Sequence, residues 1–119
     1  MKIGFVGGGK MAEALIGVLL ARKLAAPDEV IVGEPLPGRR QALAEAHRVQ
    51  VTADNRKAVA GADIVVLAVK PNQFGGVAAS LKRHLESTQT VVSIMAGITV
   101  KRLRDELQHA AVVRVMPNP

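Results

Sequence analysis

The chain opens MKIGFVGGGKMAEALIGVLLA. An apolar run over residues 3–6 meets three consecutive glycines, and a helical pattern follows at once. Ala12, Leu15, Ile16 and Leu19 stand at the i, i+3, i+4, i+7 spacing of a buried helix stripe. Few chains can pass from strand to helix through three glycines, so this junction constrains the fold more than any other feature. Gly7-x-Gly9-x-x-Ala12 fits the G-x-G-x-x-G/A pattern in its required strand–turn–helix context. Gly7 permits the tight turn, Gly9 leaves room for an anion against the backbone, and Ala12 lets the helix pack closely on the sheet. Gly8 falls at a variable position, and Lys10 adds charge. Unpaired N–H groups at the helix start and the positive end of its dipole suit a pyrophosphate.

The hydrophobic period then switches repeatedly between strand and helix. Strands are predicted at residues 2–6, 29–33, 49–51, 64–69, 90–95 and 112–116, with helices at 10–23, 37–46, 54–59, 72–85 and 99–109. Proline at 37 fits a first helical turn. Either Asp54 or Asn55 caps the third helix, and Thr99 caps the last. Residues 64–69 (IVVLAV) are apolar without alternation, the mark of a strand buried on both faces of a parallel sheet. Alternating strands and helices imply right-handed βαβ units. The expected fold is α/β: a Rossmann-type doubly wound parallel sheet of about six strands in the order 3-2-1-4-5-6, with ligands bound beyond the strands' carboxyl ends.

Composition narrows the function. No cysteine is present, which excludes disulfides and thiolate metal sites and fits a reducing cytoplasm. No His/carboxylate spacing suggests a metal. Phe5 and Phe74 are the only aromatics, too few to stack nucleic-acid bases. The net charge of +6 favours anionic partners, but the basic residues are scattered in pairs that read mostly as solvated helix faces. Neither a secretory signal nor a membrane span is expected.

Several side chains fall on the predicted ligand rim. Glu34 ends the second strand, 25 residues beyond Gly9, near the ~20 at which an acid reads the ribose hydroxyls of NAD. Arg39 and Arg40 follow, and read either as holders of a 2′-phosphate or as solvent-facing helix residues. Asn55 follows the third strand, as a ribose contact or a cap. Lys70 follows the fourth strand as an acid, an anion contact or a surface lysine, with Pro71 stiffening that exit. Ala96 and Gly97 follow the fifth. His47, His84 and His109 are expected on helix surfaces away from the rim.

IGFVGGGKMAEALIGVLL (3–20), ADIVVLAVKP (62–71), VVSIMAGIT (91–99) and VVRVMPN (112–118) together resemble the N-terminal cofactor domain of pyrroline-5-carboxylate reductase. The resemblance extends over essentially the whole chain. It implies NAD(P)H-dependent reduction of the C=N bond of 1-pyrroline-5-carboxylate to L-proline. It also implies cofactor contacts at Val6, Gly7, Gly8, Gly9, Lys10, Met11, Glu34, Asn55, Ala68, Val69, Lys70, Pro71, Ala96 and Gly97. No catalytic side chain is assigned, because positioning of cofactor and substrate is expected to carry the reaction. Family members usually read Met-Pro-Asn-Thr-Pro where this chain reads Met116-Pro117-Asn118-Pro119. The expected organisation is one dinucleotide-binding domain over residues 1–119. The family's helical C-terminal domain, which forms the homo-oligomer and most of the substrate site, is absent from this chain. Two other readings stay open: another NAD(P)-dependent oxidoreductase of the hydroxyacid dehydrogenase type, and a stand-alone nucleotide-binding module without catalysis.

Overall fold

Strand and helix alternate throughout a computed structural model of the chain, which describes residues 1–115; residues 116–119, including the end of the RVMPN motif, lie outside the described residues. The elements are β1 (Ile3–Val6), α1 (Lys10–Ala21), β2 (Val30–Gly33), α2 (Pro37–His47), β3 (Gln50–Thr52), α3 (Asn55–Val59), β4 (Ile64–Leu67), α4 (Phe74–Leu81), β5 (Thr90–Ser93), α5 (Val100–Leu107) and β6 (Val112–Arg114). Short 3₁₀ turns at Pro27–Glu29 and Pro71–Gln73 precede β2 and α4. The strands form one sheet in the order β3-β2-β1-β4-β5-β6, parallel throughout. This is the Rossmann-type architecture expected from the sequence.

Each sheet face has its own core. Phe5, Ile16, Val32 and Leu43 pack where α1 and α2 cover β1 to β3. Leu67, Phe74, Leu81, Leu103 and Leu107 fill the opposite face under α4 and α5. Close approach of α3 depends on glycine. A Cβ on Gly4 would lie 2.1 Å from the Ala58 carbonyl oxygen, so only a bare backbone lets α3 rest on β1.

One face is thinly covered. Val92 and Ile94 are half-buried, and Val113 is 49% exposed. Alternation places them on the side of the sheet that carries α1. Parallel sheets ordinarily have both faces covered.

Two strands end earlier than the sequence predicts. β4 stops at Leu67 and β5 at Ser93. The Ala68 N–H still donates to the Val6 carbonyl at 2.8 Å, but β1 turns away at Gly7 and leaves the chain beyond without a neighbour. Ala68 and Val69 thereby become rim residues. The helix expected at 72–85 spans only Phe74–Leu81, behind the 3₁₀ turn, while Leu85 still packs on the core after the helix has ended. Asp54, not Asn55, caps α3, its carboxylate accepting from the Arg56 N–H at 3.0 Å. Thr99 caps α5 as expected.

A polar clasp at the amino ends of the strands escaped the sequence reading. Gln89 is 3% exposed; its amide donates to the Val59 and Ala62 carbonyls at 2.7 and 2.8 Å and accepts from the Glu86 N–H at 2.8 Å. His109, expected on a helix surface, is instead buried beyond the end of α5, with Nε2 2.6 Å from the Gln89 carbonyl. Replacing Gln89 by leucine takes this partner from the Ala62 carbonyl and the Glu86 N–H, while the Val59 carbonyl keeps the Ala62 N–H at 3.1 Å. The substitution is expected to cost about 2–4 kcal/mol in urea unfolding without weakening any ligand bound at the opposite, carboxyl ends of the strands.

Candidate nucleotide-binding site

The glycine turn sits where β1 and β4 lie side by side and the chain leaves them in opposite directions. Its three glycines have different jobs. Gly7 has φ +101°, and a Cβ there would lie 2.8 Å from the Ala68 carbonyl oxygen. Gly8 is not the free position the motif suggests. A Cβ would approach Leu43 Cδ1 to 2.7 Å and Val32 Cγ1 to 3.1 Å, so α2 packs directly on this residue. Around a Cβ on Gly9 no protein atom beyond its chain neighbours lies within 4 Å. Gly9 caps α1 without any side-chain acceptor, leaving the first-turn N–H groups to whatever fills that space. Ala12 is fully buried beneath the turn.

Three clefts join into one groove over the carboxyl ends of the strands. A cleft of about 470 Å³ is lined by Gly9, Lys10, Met11, Ala68, Val69, Lys70 and Pro71 from the predicted set, together with Ile94, Met95 and Ala96. A second, of about 370 Å³, shares Gly9, Ala68, Val69 and Lys70 and runs on to Gly7, Gly8, Glu34, Leu36 and Arg39. The third, of about 450 Å³, shares Gly7 and Val69 and reaches Gly33, Asn55, Asn72 and Gln73. Twelve of the fourteen predicted residues therefore line one groove. The exceptions are Val6 and Gly97. Val6 is fully buried in the core, and Gly97 stands on the exposed loop after β5 with φ +75°. Ile94, Met95, Asn72 and Gln73 were missed, since nothing in residues of these types marks a groove.

Glu34 is held differently from the expectation. It is 8% exposed, and its carboxylate accepts from the Gly8 N–H at 3.1 Å and the Leu36 N–H at 2.9 Å. The acid thus ties the glycine turn to the exit of β2. Both arginines are half-buried and bonded to backbone, which corrects the reading of them as solvent-facing. Arg40 donates to the Glu34 and Pro35 carbonyls at 2.8 and 3.0 Å. Arg39 Nε donates to the Gly8 carbonyl at 2.5 Å, and Nη2 to Glu13 Oε1 at 2.8 Å. Glu13 Oε2 lies 2.8 Å from His47 Nε2, so His47 is bound into the same network. Hydrogen bonds from Arg39 and then His47 hold the Glu13 carboxyl below the ordinary carboxylate range. A depressed carboxyl stabilises the fold above its unfolded value, and that contribution fades as pH falls through the folded one.

Asn55 is placed by the same kind of close packing. Its Oδ1 would stand 2.2 Å from a Cβ on Gly33. Gly33 thereby admits the amide to the groove, and none of the hydrogen bonds among the described residues uses that amide.

The family described as NADP oxidoreductase, coenzyme F420-dependent, matches residues 2–97. The chain belongs to that family. Among curated relatives, a pyrroline-5-carboxylate reductase of Synechocystis is 40% identical over 118 residues, covering 99% of this chain and 44% of its own. The structure of a pyrroline-5-carboxylate reductase from Coxiella burnetii superposes with a TM-score of 0.93 at 36% identity, over 99% of this chain and 44% of that one. A Plasmodium falciparum pyrroline carboxylate reductase with NADP bound superposes with a TM-score of 0.84 at 26% identity, over 99% and 42%. This family member thus spans under half the length of the relatives it matches.

Proposed function

We propose that the chain is the NAD(P)-binding half of a pyrroline-5-carboxylate reductase, a proline-biosynthetic enzyme. The observation that carries this reading is the open space at Gly9, at the uncapped start of α1 and on the sheet's switch point, in a chain 40% identical to such a reductase. The residues fit the cofactor. First-turn N–H groups of α1 face space where a pyrophosphate would lie, with Lys10 and Lys70 exposed along the same cleft. Asn55 and the loop after Glu34 border the adenosine end, while Ala68, Val69, Pro71 and Ala96 border the nicotinamide end. Ala96 continues into the loop carrying Gly97, and Val6 delivers the turn from β1.

Reduced nicotinamide, when bound, supplies the hydride that adds to the C=N carbon. The protein's own share is to fix one ring face at the ends of β4 and β5 and to keep that face dry. Ile94 and Met95 supply apolar lining there. A small imine acid is the proposed substrate, and no side chain of this chain is assigned to proton transfer.

The thinly covered face over β5 and β6 supports a division into two domains. In this reading a further domain covers Val92, Ile94 and Val113, contributes the substrate site and joins two copies. The lack of cysteine favours the cytoplasm, and among the described residues no helix is long and apolar enough to cross a membrane. Nucleic acid has no place in this scheme.

Titration with NADPH and with NADH, followed by nicotinamide fluorescence, is expected to show saturable binding of both to the 119-residue chain. The chain alone is expected to form no proline from pyrroline-5-carboxylate. Absence of binding overturns the nucleotide reading, and proline formation overturns the division of labour.

A further inference from the structure

We propose that Glu13, on α1, is a positioning residue that favours a 2′-phosphorylated dinucleotide by holding Arg39 in register with the glycine turn. This rests on the nucleotide reading of the groove.

A guanidinium carries five N–H donors in a rigid plane. Arg39 uses one edge, formed by Nε and Nη2, on the Gly8 carbonyl and Glu13. The end of the fork, where Nη1 and Nη2 point the same way, has no acceptor among the described residues. That pair of parallel donors is the geometry that grips a phosphate bidentately. Arg39 lines the groove beside Glu34 and Leu36, just beyond β2, where the ribose of a dinucleotide lies.

Orientation comes from two side. The Gly8 carbonyl fixes Nε, and Glu13 fixes Nη2. His47 in turn fixes the other oxygen of Glu13. The Arg39, Glu13 and His47 side chains are 27%, 31% and 21% exposed, so the chain of contacts is partly withdrawn from water. Without Glu13 the guanidinium regains rotation about its last bonds, and ordering it then opposes phosphate binding. Glu34 does not compete for this role. Its oxygens already accept from the Gly8 and Leu36 N–H groups. Recognition of the 2′ position thus passes from the strand-end acid to an arginine set by a residue on another helix.

Dissociation constants of NADPH and NADH for wild-type, Glu13→Ala, Glu13→Gln and Arg39→Ala chains test this. Glu13→Ala is expected to weaken NADPH about five-fold, the scale of one ordered charged contact, and to leave NADH nearly unchanged. Glu13→Gln keeps an oxygen acceptor for Nη2 and should restore most of the NADPH affinity. In the Arg39→Ala background, removing Glu13 should change neither ratio. A Glu13→Ala chain that loses both cofactors equally, or shifts neither, overturns the inference, as does an effect that persists without Arg39. A wild-type chain that binds neither cofactor brings down the nucleotide reading itself.

Discussion

Gly9→Val is expected to abolish nucleotide binding and leave the fold standing. The two halves of that expectation have separate causes. Gly9 has φ −78° and ψ −169°, extended backbone that any residue adopts. Beyond its chain neighbours, no protein atom lies within 4 Å of its would-be Cβ, so the valine side chain starts into open space. Its methyl groups fill the space in front of the first turn of α1. A pyrophosphate displaced by even a methyl group's width loses its hydrogen bonds to the backbone N–H groups. A loss of about 100-fold or more in affinity, some 2.7 kcal/mol, is expected. Thermal unfolding should move only slightly, by the small cost of a branched residue at a helix cap. Titration and melting curves of the same preparation decide it. Unchanged affinity removes Gly9 from the site, and a collapsed melting curve removes the distinction between site and scaffold.

Gly4→Ala is expected to damage the fold itself. A single methyl group would lie 2.1 Å from the Ala58 carbonyl oxygen and 3.4 Å from the Ala62 Cβ. Backbone cannot swing aside as a flexible side chain can, so α3 has to lift off β1. Phe5 is fully buried next in the strand, and β1 lies in the middle of the sheet between β2 and β4. Overpacking at such a point is expected to cost about 4 kcal/mol or more, a large part of the stability of an ordinary domain. The melting temperature should fall by more than about 15 °C. Lifting α3 also withdraws Asn55 from the groove, so whatever folds should bind nucleotide less well. A variant with wild-type stability would show that the approach of α3 is not tight.

These two glycines show how much of the site was legible. Gly7 and Gly9 were readable as a pair because their roles are local: a turn with positive φ and an open helix start follow from neighbours in sequence. Gly4 carries no such mark. It sits inside a strand, and its need for a bare backbone arises from Ala58, 54 residues further on. Gly8 was misread for the same reason, since Leu43 and Val32 press on it from α2 and β2. Rim residues after β4 and β5 were found because the ends of apolar runs are visible in sequence. Ile94 and Met95 were taken as strand, because the end of a strand depends on whether a neighbour is still alongside.

By itself the sequence determined the alternation of strand and helix, the parallel sheet that alternation requires and the strand order. It also determined the Thr99 cap of α5 and the glycine turn at the switch point, while the choice of Asp54 over Asn55 at the start of α3 was left to the structure. The features it determined all follow from period, chirality and residue chemistry within a few positions. Only the tertiary structure decided what the charged side chains do. Glu34 ties the turn to the exit of β2 instead of standing open, Arg39 is clamped between Gly8 and Glu13, and His109 is buried against Gln89. Long polar side chains have many rotamers of nearly equal energy. Apart from the local bond of Glu34 to the Leu36 N–H, the choice is set by donors and acceptors that folding brings from 20 to 31 residues away, and no local pattern encodes it.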